Sequence, residues 1–179
     1  MNIQIRLSIA TTVLAIGIGC SQPPAGAAAN TPTKKPATNN SSASKAQPKL
    51  PTIKLWVGRH EIISEIADSE TERQKGMMFR TNMGSMEGML FVFQRVGQQA
   101  FWMRNTTVSL DVAYIDPDGK IREIYPLEPL NENTVPSKSF QIQYVLEMNQ
   151  GWFEKNEVKP GMIIRTEKGS FRDTFFRRR

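Results

Sequence analysis

Apolar and polar residues alternate along several short stretches of the chain, a pattern typical of β-strands that bury one face. Residues 53–57 and 60–67 alternate on either side of Gly58, and residues 141–148 alternate nearer the end of the chain. Residues 89–93 are continuously apolar, which indicates a strand buried on both faces. Further strands are predicted at residues 99–104, 108–115, 120–126 and 162–166. The pattern predicts an all-β, mainly antiparallel fold, a compact β-sandwich or barrel with one or two short helices.

Turn and cap residues separate these stretches. The sequence Asp-Pro-Asp-Gly at residues 116–119 lies between two predicted strands and therefore predicts a hairpin. Lys-Pro-Gly at residues 159–161 predicts a type II turn. Ser69 is a suitable N-cap for a helix over about residues 69–75, and Gly76 is suited to end it. These local signals divide the chain into short elements.

The N-terminal segment has the features of an export signal. Arg6 precedes an apolar run that is too short to cross a hydrocarbon core of ~30 Å, so residues 1–19 are predicted to be a signal peptide. The run ends in Gly17-Ile18-Gly19-Cys20, which resembles a bacterial lipobox. The resemblance implies that Cys20 is lipidated and anchors the protein to a membrane. A plain signal peptide cleaved near residues 25–29 is the alternative, and both predict export.

Composition then predicts the domain boundaries. The segment after Cys20 is rich in Ala, Pro, Ser, Thr, Asn and Lys, and it lacks the large apolar residues that a core needs. We expect residues 20–51 to form a lipid-anchored disordered linker and residues 52–170 to form the β domain. Residues 171–179 are expected to be a basic tail. The predicted location is the membrane surface, facing the periplasm or the cell exterior.

The distribution of charge argues against a nucleic-acid partner. The chain has a net charge of +6, but residues 52–171 contain 14 Lys and Arg against 16 Asp and Glu. The positive excess therefore belongs to the terminal segments, whereas a nucleic-acid-binding domain is expected to carry a basic patch of its own.

Cysteine content limits the chemistry of the domain. Cys20 is the only cysteine, so the predicted β domain has no disulfide, no thiolate metal site and no cysteine nucleophile. We expect no cofactor and no metal, and we expect a monomer whose stability comes from core packing.

Four ordered blocks of the sequence resemble the bacterial and archaeal family of domain of unknown function 192 (DUF192). The blocks are ERQKGMMFR at residues 72–80, GMLFVF at 88–93, FWMRNT at 101–106 continuing to Asp111, and YVLE at 144–147 followed by Gly151. The resemblance implies a compact, jelly-roll-like β fold in a protein that is often exported or lipid-anchored. It implies no particular biochemical activity.

The residues around these blocks suggest a ligand-binding module at the cell envelope. An aromatic platform beside guanidinium, amide and carboxylate groups can hold a polar ligand, either sugar-like or carboxylated. The candidate binding residues are Arg80, Trp102, Arg104, Asn105, Asp111 and Glu147. The alternative is structural: the arginines pair with the carboxylates, and Trp102 belongs to the core.

A second hypothesis is hydrolysis of an envelope glycan, with Asp111 and Glu147 as the acid and base. Asp111 shares its strand face with Ala113 and Ile115, so its carboxylate is expected to be partly enclosed. Glycoside hydrolysis needs two carboxyl groups ~5–9.5 Å apart. His60 lies on an early predicted strand and is more typical of a hairpin residue than of a general base. No nucleophile-elbow motif occurs in the chain, so binding is favoured over catalysis.

A third hypothesis is copper binding through Met83, Met86 and Met89, which recur at intervals of three residues. Thioethers are soft ligands that suit Cu(I). Methionine also fills irregular cores, which is the alternative for this cluster.

Overall fold

The structure is a computed structural model that describes residues 45–176. The strands of this part are β1 (Thr52–Val57), β2 (His60–Ala67), β3 (Glu87–Gly97), β4 (Ala100–Phe101), β5 (Leu110–Ile115), β6 (Ile121–Leu127), β7 (Val135–Pro136), β8 (Ile142–Asn149) and β9 (Ile164–Thr166). The helices are α1 (Glu70–Lys75), α2 (Trp152–Lys155) and α3 (Phe171–Phe175). The predicted signal peptide, Cys20 and most of the predicted linker lie outside the described residues.

Seven of the described strands form one sheet in the order β6-β5-β8-β3-β2-β1-β9, and the sheet curls into a half-barrel. The β2–β3 pair is parallel, and the other pairs within this sheet are antiparallel. β4 and β7 form a separate two-stranded ladder. The prediction of an all-β fold with few helices is confirmed.

Core clusters cover both faces of the sheet. All six residues of β5 are buried: Ala113 and Ile115 pack in one core cluster, while Leu110, Val112 and Tyr114 pack in another on the opposite face. The first cluster is completed by β1, β9 and the helices α2 and α3. The second is covered by the loop segments around Met77 and Met103. These loops build the site described below.

The elements predicted from local signals are confirmed. Ser69 caps α1 by accepting a hydrogen bond from the Glu72 backbone N–H at 3.2 Å, and the Glu72 carboxylate accepts from the Ser69 N–H at 3.0 Å. Gly76 ends the helix with φ +43°. The Asp-Pro-Asp-Gly turn closes the β5–β6 hairpin, with the Gly119 N–H donating to the Asp116 carbonyl at 3.0 Å.

The folded part extends beyond both boundaries predicted from composition. Gln47 lies in the predicted linker, but the structure shows it buried. Its side chain donates a 2.9 Å hydrogen bond to the Gly76 carbonyl. Phe171 lies in the predicted tail but is completely buried, because its ring packs on Tyr144 with 4.5 Å between centroids. The ordered domain therefore includes an N-terminal arm, residues 45–51, and the helix α3.

The strand predicted at residues 99–104 is shorter in the structure, where β4 ends at Phe101. The reason is that the Met103 N–H donates to the carbonyl of Asn131 in a loop, at 2.8 Å, and the chain turns there. Within residues 45–176, no helix has the length and apolar character needed to cross a membrane.

Candidate functional site

One row of side chains crosses four neighbouring strands on the loop-covered face of the sheet. The strand registers pair Glu65 with Met89, Met89 with Glu147, and Glu147 with Val112. Because paired residues point to the same face, the row places two glutamates on either side of a methionine. The segment of residues 76–80 lies over this row.

Glu65 is held by a cation. Its two carboxylate oxygens accept hydrogen bonds from the two terminal nitrogens of Arg80, both at 2.7 Å. Only 12% of the Arg80 side chain and 13% of the Glu65 side chain is exposed. The Leu50 backbone N–H adds a third bond to Glu65 at 2.8 Å. Arg80, a predicted binding residue, thus forms an ion pair that links the segment after α1 to β2. The Leu50 bond to Glu65 links the arm to the same pair.

Glu147 is enclosed without a cation. The residue is only 4% exposed, and its Oε2 atom has no hydrogen-bond partner. Burial raises the pKa of Glu147 to about 8 from the usual value of 4.5. The carboxyl group therefore keeps its proton at neutral pH and can act as a hydrogen-bond donor.

A crevice of about 30 Å³ lies beside Glu147, bounded by Gly76, Met77, Phe91 and Trp102. This volume is enough for one water-sized group. Gly76 is needed in this wall, because a Cβ atom there would lie 3.3 Å from the Phe91 ring. A small polar group of a ligand could enter the crevice and meet the carboxyl group.

The crevice adjoins an open groove of about 310 Å³, and the two share the side chains of Arg73, Gln74, Phe101 and Trp102. Trp102 is 40% exposed, which is unusual for so large an apolar side chain. The Arg104 guanidinium lies over the Trp102 ring, 5.5 Å from its centroid. The groove therefore presents an aromatic surface next to a buried acid, and its lining holds one cation and one anion, Arg73 and Glu70.

Strained backbone occurs in the loops that carry Phe79, Asn105 and Leu130. Phe79 and Asn105 both have left-handed backbone, with φ of 61° and 54°, and the Phe79 N–H donates to the Asn105 carbonyl at 2.7 Å. Leu130, with φ 61°, donates to the Thr106 carbonyl at 3.0 Å. Such conformations are costly for residues other than glycine, and they cluster at functional sites. Asn105 thus holds Phe79 through its backbone, and it lines neither the groove nor the crevice.

Asp111 lies apart from Glu147. The register pairs Asp111 with Met148 and Val112 with Glu147, so the two carboxyl groups point to opposite faces of the sheet. Asp111 accepts a 2.8 Å hydrogen bond from the Gly151 N–H, and burial raises its pKa. The structure therefore does not support an acid–base pair of Asp111 and Glu147.

The three methionines of the copper hypothesis differ in environment. Met89 is completely buried in the core, and Met83 packs against the same cluster, whereas Met86 is 39% exposed. This arrangement fits core packing better than three converging thioethers. Within the described residues, no group of three or more His, Cys, Asp or Glu side chains could hold a metal ion.

The predicted binding residues are therefore only partly brought together. Trp102 and Glu147 both line the crevice, and Arg104 lies over the Trp102 ring. Arg80, Asn105 and Asp111 line neither the crevice nor the groove. Two of the charged residues described above were not predicted. Glu65 shares a strand face with buried Ala67, and this alternation is a signal that could have identified it. Arg73, whose guanidinium lies 5.2 Å from the Phe93 ring centroid, left no such signal.

The fold and the site define a small all-β domain with a buried carboxyl group beneath an aromatic groove. The chain belongs to the DUF192 family, whose model, described as "Uncharacterized ACR", matches residues 53–166. The resemblance inferred from the four sequence blocks is thus confirmed at the level of the family.

Solved structures of similar proteins share the fold. A candidate transcription regulator from Sinorhizobium meliloti 1021 is 31% identical, with a TM-score of 0.64, and the match covers 67% of this chain and 97% of that one. A protein of unknown function from Novosphingobium aromaticivorans DSM 12444 is 34% identical, with a TM-score of 0.63, covering 65% of this chain and 86% of that one. No curated protein matches the chain.

Proposed function

We propose that this protein is an accessory module of the bacterial envelope that binds a polar ligand, sugar-like or carboxylated, in the groove at Trp102. The observation that carries the proposal is the buried, unpartnered carboxyl group of Glu147 beside a crevice that adjoins this groove. Leaving a buried polar group unsatisfied costs ~1–3 kcal/mol, and a ligand that supplies its partner recovers part of that cost.

Each group of the site has a role in this proposal. The exposed ring of Trp102 offers a surface on which a sugar ring or another flat ligand can pack. The guanidinium of Arg104, which lies against that ring, can bind a ligand carboxylate. Protonated Glu147 donates a hydrogen bond to a small acceptor group that enters the crevice.

Thermal-shift measurements on the full chain test the proposal with peptidoglycan fragments, neutral sugars and carboxylated sugars. A ligand at 100 times its Kd stabilises the folded state by ~2.7 kcal/mol, which raises the Tm measurably. We expect Trp102→Ala to abolish the shift. Phe140→Ala is the matched control, since Phe140 is also a large exposed apolar residue, at 66%, and does not line the groove. No shift with any of these compounds, or equal shifts in both variants, would refute binding at this groove.

The same proposal includes membrane anchoring through lipidated Cys20. We expect wild-type protein in a bacterial host to fractionate with membranes and to incorporate labelled fatty acid, whereas Cys20→Ser abolishes the labelling. The variant should then be found in the soluble exported fraction. Wild-type protein without label would favour the plain signal peptide and contradict the anchor.

The description of the Sinorhizobium relative does not lead us to propose a role in transcription for this chain. The described domain is slightly acidic over residues 52–171, and its groove is lined by aromatic rings and few cations. Both features are unlike a surface that binds the phosphate backbone.

A further inference from the structure

A second cavity, of about 250 Å³, lies on the same face of the sheet, and Met77 lines both this cavity and the Glu147 crevice. Its walls come from the N-terminal arm, the start of β3 and the segment of residues 77–83. The volume is below the ~300–1,000 Å³ of typical drug-sized sites, so a ligand would be small.

The walls of this cavity are ordered by specific hydrogen bonds. The Asn149 side-chain amide donates to the carbonyls of Met83 and Gly84, at 3.1 and 2.9 Å. The Gly84 N–H in turn donates to Glu87 Oε2 at 2.9 Å. A Cβ atom at Gly84 would lie 2.9 Å from the Glu87 side chain, so a larger residue there would displace the Glu87 carboxylate from its present position. The carboxylate of Glu87 is therefore held in place at the cavity.

The charged groups of the cavity balance one another. Arg80 and Glu65 neutralise each other through their two 2.7 Å bonds. The remaining charged groups among the lining residues are Lys49 and Glu87, one of each sign. A ligand with a single charge is attracted by one of these two residues and repelled by the other. A ligand that carries a positive and a negative group can form a favourable contact with each residue.

The rest of the lining is apolar and soft. Ile63, Met77, Phe79 and Met83 contribute aliphatic, thioether and aromatic groups. Methionine side chains adapt to the shape of an apolar group, so this part can accept an aliphatic side chain of variable form.

We propose that this cavity binds a small zwitterion with an apolar side chain, the chemistry of a free aliphatic α-amino acid. Lys49 binds the ligand carboxylate, Glu87 binds its ammonium group, and the apolar wall receives its side chain. The Nε atom of Arg80 is buried and has no acceptor. A carboxylate oxygen that reached it would satisfy this donor and strengthen the complex.

Titration of the full chain with L-leucine and L-methionine tests the proposal by NMR. We expect both to shift the Arg80 Nε–Hε resonance and the methyl resonances of Met77 and Met83. Two analogues of leucine serve as probes of charge: 4-methylpentanoate lacks the amine, and 3-methylbutylamine lacks the carboxylate. Each is expected to bind at least about tenfold more weakly, because it loses one charge-assisted contact and keeps one repulsion.

Variants of the two rim charges complete the test, since both residues are exposed. We expect their replacement to preserve the fold. We expect Lys49→Met and Glu87→Gln each to weaken leucine binding by about tenfold or more. Lys54→Met, an exposed lysine on β1 that does not line the cavity, is the matched control and should have no effect. Trp102→Ala should also leave leucine binding unchanged, which separates this site from the groove. Absence of any shift, equal affinity for the amine-free acid, or unchanged affinity in both rim variants would overturn the proposal.

Discussion

Glu65 and Glu147 lie two strands apart on one face of the sheet, and only Glu65 faces a guanidinium. A carboxylate that is desolvated without a cation favours its protonated form, whereas a paired carboxylate can remain ionised. The same residue type therefore has two different environments within ~10 Å, since neighbouring strands are ~4.8 Å apart. The difference depends on where Arg80 lies.

The raised pKa of Glu147 predicts that the folded state loses stability as pH rises. Between the usual value of 4.5 and the folded value of about 8, the folded protein holds more protons than the unfolded chain. The free energy of unfolding contributed by this group is therefore full below about pH 4.5 and falls toward pH 8, by roughly 3 kcal/mol between pH 5 and 8. Urea unfolding of Glu147→Gln should lack this decline. Glu132→Gln, at an exposed loop residue, should retain it, and an equal decline in both variants would contradict the assignment.

The ion pair of Arg80 and Glu65 predicts a large coupling energy. Removing one partner of a mostly buried pair leaves the other charge unpaired and costs ~3–5 kcal/mol. A double-mutant cycle with Arg80→Met and Glu65→Gln, followed by urea unfolding, should therefore give a coupling well above 1 kcal/mol. The control is the pair of Lys54 and Glu61, which is 2.8 Å long but 49% and 44% exposed. Its coupling should be ~0.2–1 kcal/mol, and similar values for the two pairs would show that the burial of the first has no energetic consequence.

At the scale of elements, the end of α1 shapes the crevice. Gly76 has φ +43° and ψ −130°, which is a conformation that strongly favours glycine. We expect Gly76→Ala to destabilise the fold by about 1–3 kcal/mol and to move the Phe91 ring. Gly97→Ala is the control: its Cβ would meet only the Gln99 side chain, at 3.9 Å. Equal Tm values for the two variants would contradict this role of Gly76.

The helix α3 predicts that the C-terminal segment is part of the core. Phe171 is completely buried, and Phe175 and Phe176 pack against the same cluster. A chain ending at Ser170 should therefore lose at least ~3 kcal/mol of unfolding free energy, the usual cost of deleting a buried phenylalanine. A chain ending at Phe176 lacks only the last three arginines and should keep the wild-type Tm. A large loss in this shorter truncation would show that the arginines, and not the phenylalanines, stabilise the end of the chain.

Elements set by local chemistry could be predicted from the sequence, and so could the buried apolar run within β3, but the burial of Glu147 could not. The cap of α1 involves residues three positions apart, and the turn at residues 116–119 involves four adjacent ones, so their signals are contiguous. The alternation of residues 141–148 predicts that Glu147 lies on the same strand face as Gln141 and Gln143, away from the apolar face. Glu147 is buried because the segments that carry Met77 and Trp102 cover its face, and nothing within β8 indicates this.

The same limit applies to the site. Of the predicted residues, Trp102 and Glu147 both line the crevice, and Arg104 contacts the Trp102 ring. Asp111 was grouped with them, but whether two carboxyl groups share a face depends on the register between β5 and β8. A shift of one residue reverses every side chain of a strand, so this relation is not contained in either strand alone.

At the scale of the whole molecule, the folded unit is larger than the segment that matches the family. The match covers residues 53–166, while the arm before it and α3 after it make buried contacts. A chain that starts at residue 45 keeps the hydrogen bonds of Gln47, Leu50 and Pro51. A chain that starts at residue 52 loses them and should lose roughly 2 kcal/mol or more, lowering the Tm by several degrees. Equal Tm values would show that the arm is dispensable.

The order of the strands has a consequence for when this sheet can form. The block of β1, β2 and β3 makes no strand pair with the β5–β6 hairpin. Instead, β8 lies between them and pairs with β3 on one side and with β5 on the other. The second neighbour of β1 in the sheet is β9, which comes much later in the chain. When the chain is synthesised from its N-terminus, the β1–β2–β3 block and the β5–β6 hairpin stay separate until β8, residues 142–149, has been made. One edge of β1 stays unpaired until β9 is complete at residue 166. We therefore expect folding to be delayed until almost the whole chain is available. If the protein is exported as proposed, this delay would keep the polypeptide unfolded while it passes through a translocation channel.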